Sequence, residues 1–69
     1  MPTTLPLAPL ARLIKKFSNL RVSDDARTAM AEVLEDFASK ISRKAAELAV
    51  HAKRKTIRAE DIRLAAKEQ

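Results

Sequence analysis

Residues 23–52, SDDARTAMAEVLEDFASKISRKAAELAVHA, decide the fold, because they contain neither Gly nor Pro and their apolar positions keep a helical period. Ala26, Met30, Val33, Phe37, Ile41, Ala45, Leu48 and Ala52 follow one another at steps of three or four, which puts them on one face of a 3.6-residue repeat. Leu34, Ala38 and Ala49 widen that stripe. Ser23 suits an N-cap, where its hydroxyl accepts from an orphan backbone N–H, and Asp24 and Asp25 place negative charge at the positive end of the helix dipole. At about 1.5 Å per residue, a helix of about 28 residues is roughly 42 Å long, against a usual length of about 11–12 residues. Only about 40 residues remain to cover its apolar face, and so short a chain buries a poor fraction of its surface alone. A second copy is therefore expected to supply the missing cover.

The chain has 69 residues, which is one domain without room for an enzyme-sized cleft and lid. Cys is absent, which excludes a disulfide framework and a thiolate metal site, and the single histidine, His51, makes no zinc site alone. No catalytic residues, cofactor or metal are expected, since no nucleophile–base pairing and no phosphate-cradling Gly loop can be read. Fourteen Lys and Arg stand against nine Asp and Glu, a net charge of +5 that points to a polyanion. From Asp24 to His51 there are four basic and six acidic residues, so −2, and the rest of the chain carries ten basic and three acidic, so +7. The positive charge thus flanks the long helix. No apolar run of about 18 residues exists and no signal-peptide pattern opens the chain, so a cytoplasmic protein is expected, without a membrane or small-molecule substrate as partner. Few aromatics argue against single-strand binding by base stacking.

In order along the chain, residues 1–8 carry Pro2 and Pro6 and read as an extended lead-in. Pro9 suits a first helical turn, and Leu10, Leu13, Ile14 and Phe17 recur at helical spacing, predicting a short helix over 9–17. SNLRV, residues 18–22, reads as a loop with a short extended piece. After the long helix, 23–52, the basic run KRKTI at 53–57 reads as a second such loop, although no Gly marks the turn. Ile62, Leu64, Ala65 and Ala66, behind Glu60 and Asp61, predict a third helix over 59–67.

This all-α, short–long–short pattern, with TLPLAPLARLIKK at the start, RVSDDA before the long helix and HAKRKTIRAEDI after it, strongly resembles the archaeal-type histone fold. Three separated motifs agree in order and spacing, over nearly the whole chain. The resemblance implies an antiparallel handshake dimer whose core includes Met30, Val33, Leu34, Phe37 and Ile41. Antiparallel crossing would bring the SNLRV loop of one chain beside the KRKTI loop of its partner, so that Arg21 and Lys53, Arg54, Lys55 and Thr56 gather at each end of the dimer. Paired first helices, with Arg12, Lys15 and Lys16, would make a third anion site, and helix N-termini would add N–H donors. Such spaced phosphate clamps favour bending double-stranded DNA with little base readout. For each of these cations the plain alternative is a solvated surface charge.

By the same resemblance, Arg54 and Asp61 form an ion pair bracing the second loop against the third helix, with DNA contact as a secondary role for Arg54. Leu48, His51, Asp61 and Leu64 match the positions through which dimers of the family join into tetramers; histidine ordinarily titrates near pH 6.5, and whether assembly depends on pH is left open. The sequence departs from many relatives at Ala11, Ser18 and Lys53, where those often carry Gly. Ser18 is small but not Gly, which leaves open whether DNA turns stack indefinitely. The implied function is a chromosome-associated DNA-wrapping protein acting as a homodimer and tetramer. The competing reading is a histone-fold subunit that heterodimerises in a transcription complex, and a membrane-surface helix is disfavoured by Glu32, Glu35 and Asp36 on the long helix.

Overall fold

The computed structural model describes residues 5–68, which form three helices and, among the described residues, no strand. They are α1, Leu7–Ser18, α2, Asp24–His51, and α3, Ala59–Lys67. The chain divides into two compact units, Met1–Asp36 and Phe37–Gln69, with α2 running through both. The expected extended pieces in SNLRV and KRKTI are irregular loop, without ladder pairing in this chain.

In the first unit, α1 starts at Leu7, two residues ahead of the expected Pro9, and ends at Ser18. Pro6 is its N-cap in extended conformation, with φ −67° and ψ 131°. Pro9 then falls at the third helical position, where the backbone N–H has no intrahelical partner, so the ring costs no hydrogen bond. Leu7 and Ala8 therefore belong to the helix, and residues 1–4 of the expected lead-in lie outside the described residues. The helix stops at Asn19, which takes the left-handed conformation at φ 58° and donates its N–H to the Lys15 carbonyl at 2.8 Å. Asn is among the few non-Gly residues that visit this region readily. Ser18 completes the end: its hydroxyl donates to the Ile14 carbonyl at 2.9 Å and accepts from the Leu20 N–H at 3.3 Å. At the start of α2, the Ser23 hydroxyl accepts from the Ala26 N–H at 3.1 Å and the Ser23 carbonyl accepts from the Arg27 N–H at 3.1 Å. Both bonds are those of an N-cap.

In the second unit, α2 ends in a Schellman motif built without glycine. The Lys53 N–H donates to the Val50 carbonyl at 2.8 Å and the Arg54 N–H to the Ala49 carbonyl at 2.9 Å, with Lys53 left-handed at φ 60°. The small core of this unit is Ile41 and Ala45 of α2 with Ala65 of α3, and Leu48 packs against it. Alanines at the contact let two helix backbones approach closely. Lys44 and Glu68 form an exposed ion pair at 3.4 Å, which contributes little.

Burial within one chain is slight. The buried apolar residues are Ala31, Ile41, Ala45, Ala49 and Ala65, and among the described residues no large side chain is fully buried. Of the five residues expected in a dimer core, Ile41 is buried, Met30 and Leu34 are half-buried, and Val33 and Phe37 are exposed, Val33 by 64%. Leu13, Phe17 and Leu20 are exposed as well, Phe17 by 80%, with the Lys16 ammonium 5.7 Å from its ring centre.

Candidate nucleic-acid interface

Basic residues concentrate in two places, one in each unit. In the first unit, Ala11, Arg12 and Lys15 of α1, Arg21 and Val22 of the following loop, and Arg27 of α2 line a cleft of about 280 Å³. Arg12 and Lys15 share it because a spacing of three keeps them on one face of α1. Arg21 arrives from the loop that the Asn19 turn redirects. Arg27 is in the second turn of α2, and helical side chains lean toward the N-terminus, which brings its guanidinium back over the start of the helix. The lining holds four cations and no carboxylate. Among the described residues none of the four joins an ion pair. The Arg27 Nε is buried and has no hydrogen-bond partner. Like charges along a concave wall reinforce one another's potential, so the cleft attracts anions.

In the second unit, the loop after α2 is held by one ion pair. Arg54 Nη1 and Nη2 donate to Asp61 Oδ2 and Oδ1 at 2.9 and 2.7 Å, and Nη1 also donates to the Thr56 carbonyl at 3.0 Å. Asp61 is at the third position of α3 and reaches back to accept the Arg58 N–H at 2.8 Å. This is one half of a capping box; the other half is missing, because the Arg58 side chain offers no acceptor. Asp61 is buried, at 4% exposure. Its carboxyl is pulled from an ordinary 3.8 down to about 2, chiefly by the Arg54 hydrogen bonds and then by the Arg58 N–H, while Arg54 is shifted upward by the same carboxylate. The pair therefore leaves Lys53, Lys55 and Thr56 exposed on a loop whose backbone is braced from inside.

The sequence-derived candidates thus separate by surroundings. Arg12, Lys15 and Arg21 converge on the cleft. Lys53, Lys55 and Thr56 are exposed, whereas the Arg54 guanidinium is half-buried and committed to its own chain. Leu48 is half-buried, His51 and Leu64 are exposed, and the Asp61 carboxylate already accepts three hydrogen bonds within the chain, leaving most free capacity on Oδ1. Arg27 carried no expected role. Its signal was available: a long basic side chain four residues after a strong N-cap leans over the helix start. Among the described residues, no helix is long and apolar enough to cross a membrane.

Residues 3–66 match the family described as histone-like transcription factor (CBF/NF-Y) and archaeal histone. The chain is similar to a subunit of the archaeal histone HAN1 of Thermococcus zilligii, 56% identical over 63 residues that cover 91% of this chain and 94% of that one. It is also similar to probable archaeal histone 3 of Methanocaldococcus jannaschii, 49% identical over 61 residues, covering 88% and 91% of the two chains.

Proposed function

The chain belongs to the family of histone-like transcription factors and archaeal histones, and we propose that it is a chromosome-associated architectural protein that bends, wraps and compacts duplex DNA with little sequence preference. The observation that carries this is that the exposed Arg12, Lys15 and Arg21 converge on one cleft whose lining has no carboxylate. Cations without acidic neighbours gain most from the phosphate backbone, which carries affinity but no sequence information. Lys53, Lys55 and Thr56 on the braced second loop form the other contact surface, with Arg54 acting mainly through Asp61.

The acting unit is an antiparallel homodimer. Val33, Phe37, Leu13, Phe17 and Leu20 are exposed in the single chain, and each such side chain removed from water contributes about 1.5–3 kcal/mol. Covering them with a second copy restores the core that the alanine-rich contacts leave small. Dimers join further through Leu48, His51 and Leu64, with Asp61 at the same end of the chain. A heterodimer with a different histone-fold protein is the alternative, supported by the transcription factors within the family description and by a relative named as one subunit of its histone.

Nuclease digestion of mixed-sequence duplex DNA loaded with the protein tests the proposal. Protected lengths rising in regular steps are expected if dimers add side by side, and one discrete length if a tetramer closes. An absence of protection would overturn DNA wrapping and favour the heterodimeric reading.

A further inference from the structure

The four cations of the first-unit cleft are not equally accessible. Arg12, Lys15 and Arg21 are exposed at its rim, whereas Arg27 is recessed, with its Nε covered and unpaired. A buried donor without an acceptor is costly, about 1–3 kcal/mol in general, and its neighbours in the lining offer no carboxylate to relieve it. Asp24 and Asp25, only two or three residues away along α2, do not line the cleft. Ala11 and Val22 supply small apolar wall, so the volume of about 280 Å³ is open to a compact guest.

The guest must be anionic, compact and rich in acceptors. A phosphodiester in a continuous backbone has two non-bridging oxygens and is tethered on both sides, so the exposed rim satisfies it. A terminal phosphoryl group has three such oxygens and one tether, and can descend until an oxygen meets the recessed guanidinium. Arginine forks pair with phosphoryl oxygens two at a time, and charge-assisted bonds of this type are the strong ones.

We propose that this cleft is a pocket for the terminal phosphoryl group of a condensed phosphate, with Arg27 as its innermost ligand, and that a condensed phosphate held there competes with duplex DNA for Arg12 and Arg21. The competition rests on the DNA-binding reading given above; the pocket itself does not. No bond to phosphorus is made or broken.

The test uses the full chain with pyrophosphate in the absence of DNA, and separately with a mixed-sequence duplex in the absence of pyrophosphate. Amide shifts on pyrophosphate addition are expected to concentrate at Arg12, Arg21, Val22 and Arg27. Arg27→Gln is expected to weaken pyrophosphate binding about tenfold and duplex binding by less than about threefold, while Lys55→Gln leaves pyrophosphate binding unchanged. Equal losses for both ligands in Arg27→Gln would overturn the proposal, as would shifts spread evenly onto residues 53–56. Should Arg27→Gln fail to fold, Arg27→Lys and the shift map of the unmodified chain decide the same question. A chain that binds pyrophosphate at these residues but no duplex would sink the DNA reading and leave the pocket standing.

Discussion

The guanidinium of Arg54 and the carboxylate of Asp61, seven residues apart, meet in two parallel hydrogen bonds of 2.9 and 2.7 Å. The same carboxylate accepts the Arg58 N–H and the same guanidinium donates to the Thr56 carbonyl, so one contact both caps α3 and pins the loop before it. A loop held from within can present Lys53, Lys55 and Thr56 without losing much conformational freedom on binding, which is the advantage of preorganisation.

Acid should expose the role of that pair. The Asp61 carboxyl is held at about 2 in the folded chain, below its ordinary 3.8, so its contribution is fully present above the unfolded value and is lost as pH falls through about 2. Asp61→Asn is expected to lower the thermal midpoint at neutral pH and to flatten the acid limb below about pH 4. Thermal melts along a pH series at fixed protein concentration check this. A constant difference between the two proteins down to about pH 2 would remove Asp61 from the acid response.

Lys53 occupies a left-handed backbone position at φ 60° that glycine adopts without strain. Lys53→Gly is expected to stabilise the protein by about 0.5–1 kcal/mol, whereas Lys53→Ala is expected to bring no gain. Urea midpoints of the two variants separate the backbone effect from loss of the charge. If both variants shift alike, the ammonium and not the dihedral sets the stability of this turn.

Ser23 caps the long helix through its hydroxyl, which accepts from the Ala26 N–H. Ser23→Ala should cost about 1 kcal/mol and Ser23→Asp very little, because Asp caps equally well and suits the dipole. Chemical denaturation followed by circular dichroism measures both.

Duplex affinity should fall steeply with salt. If a dimer neutralises about 6–8 phosphates, log K against log salt has a slope of roughly −5 to −7, and Arg21→Ala or Lys55→Ala lowers its magnitude by about 1 to 2 because each occurs twice in a dimer. Fluorescence anisotropy over a salt series reads the slope directly. A nearly flat dependence would contradict backbone-driven wrapping.

His51→Ala is expected to leave dimers intact and to remove their association into tetramers, since His51 is exposed near the end of α2 and away from the Ile41, Ala45 and Ala65 core. Sedimentation velocity distinguishes the two assemblies. Tetramers that persist in the variant would exclude His51 from the interface.

The helices were legible in the sequence because a helix is made of contacts three and four residues apart. The Ala26-to-Ala52 stripe, the Ser23 cap and the acidic first turns of α2 and α3 are all local patterns, and the structure forms its helices where those patterns lie. The start of α1 was the exception. Pro9 reads as a first-turn residue at any of several positions, and only the extended conformation of Pro6 sets the start at Leu7. The imbalance between a long apolar stripe and too little chain to cover it was also written in the sequence, since it needs only length and period. Three things were fixed by the folded structure and not by the helical period. Asn19 and Lys53 took the left-handed turns in a chain without glycine, which depended on where each helix could close its last hydrogen bonds. The Arg54–Asp61 pair was expected from the family resemblance, but not that the same carboxylate would also take the Arg58 N–H. Arg27 joined Arg12, Lys15 and Arg21 around one cleft, although six to fifteen positions separate it from them. The direction of a long side chain depends on what packs beside it, and that is set by neighbours distant in sequence, whose meeting no local period encodes.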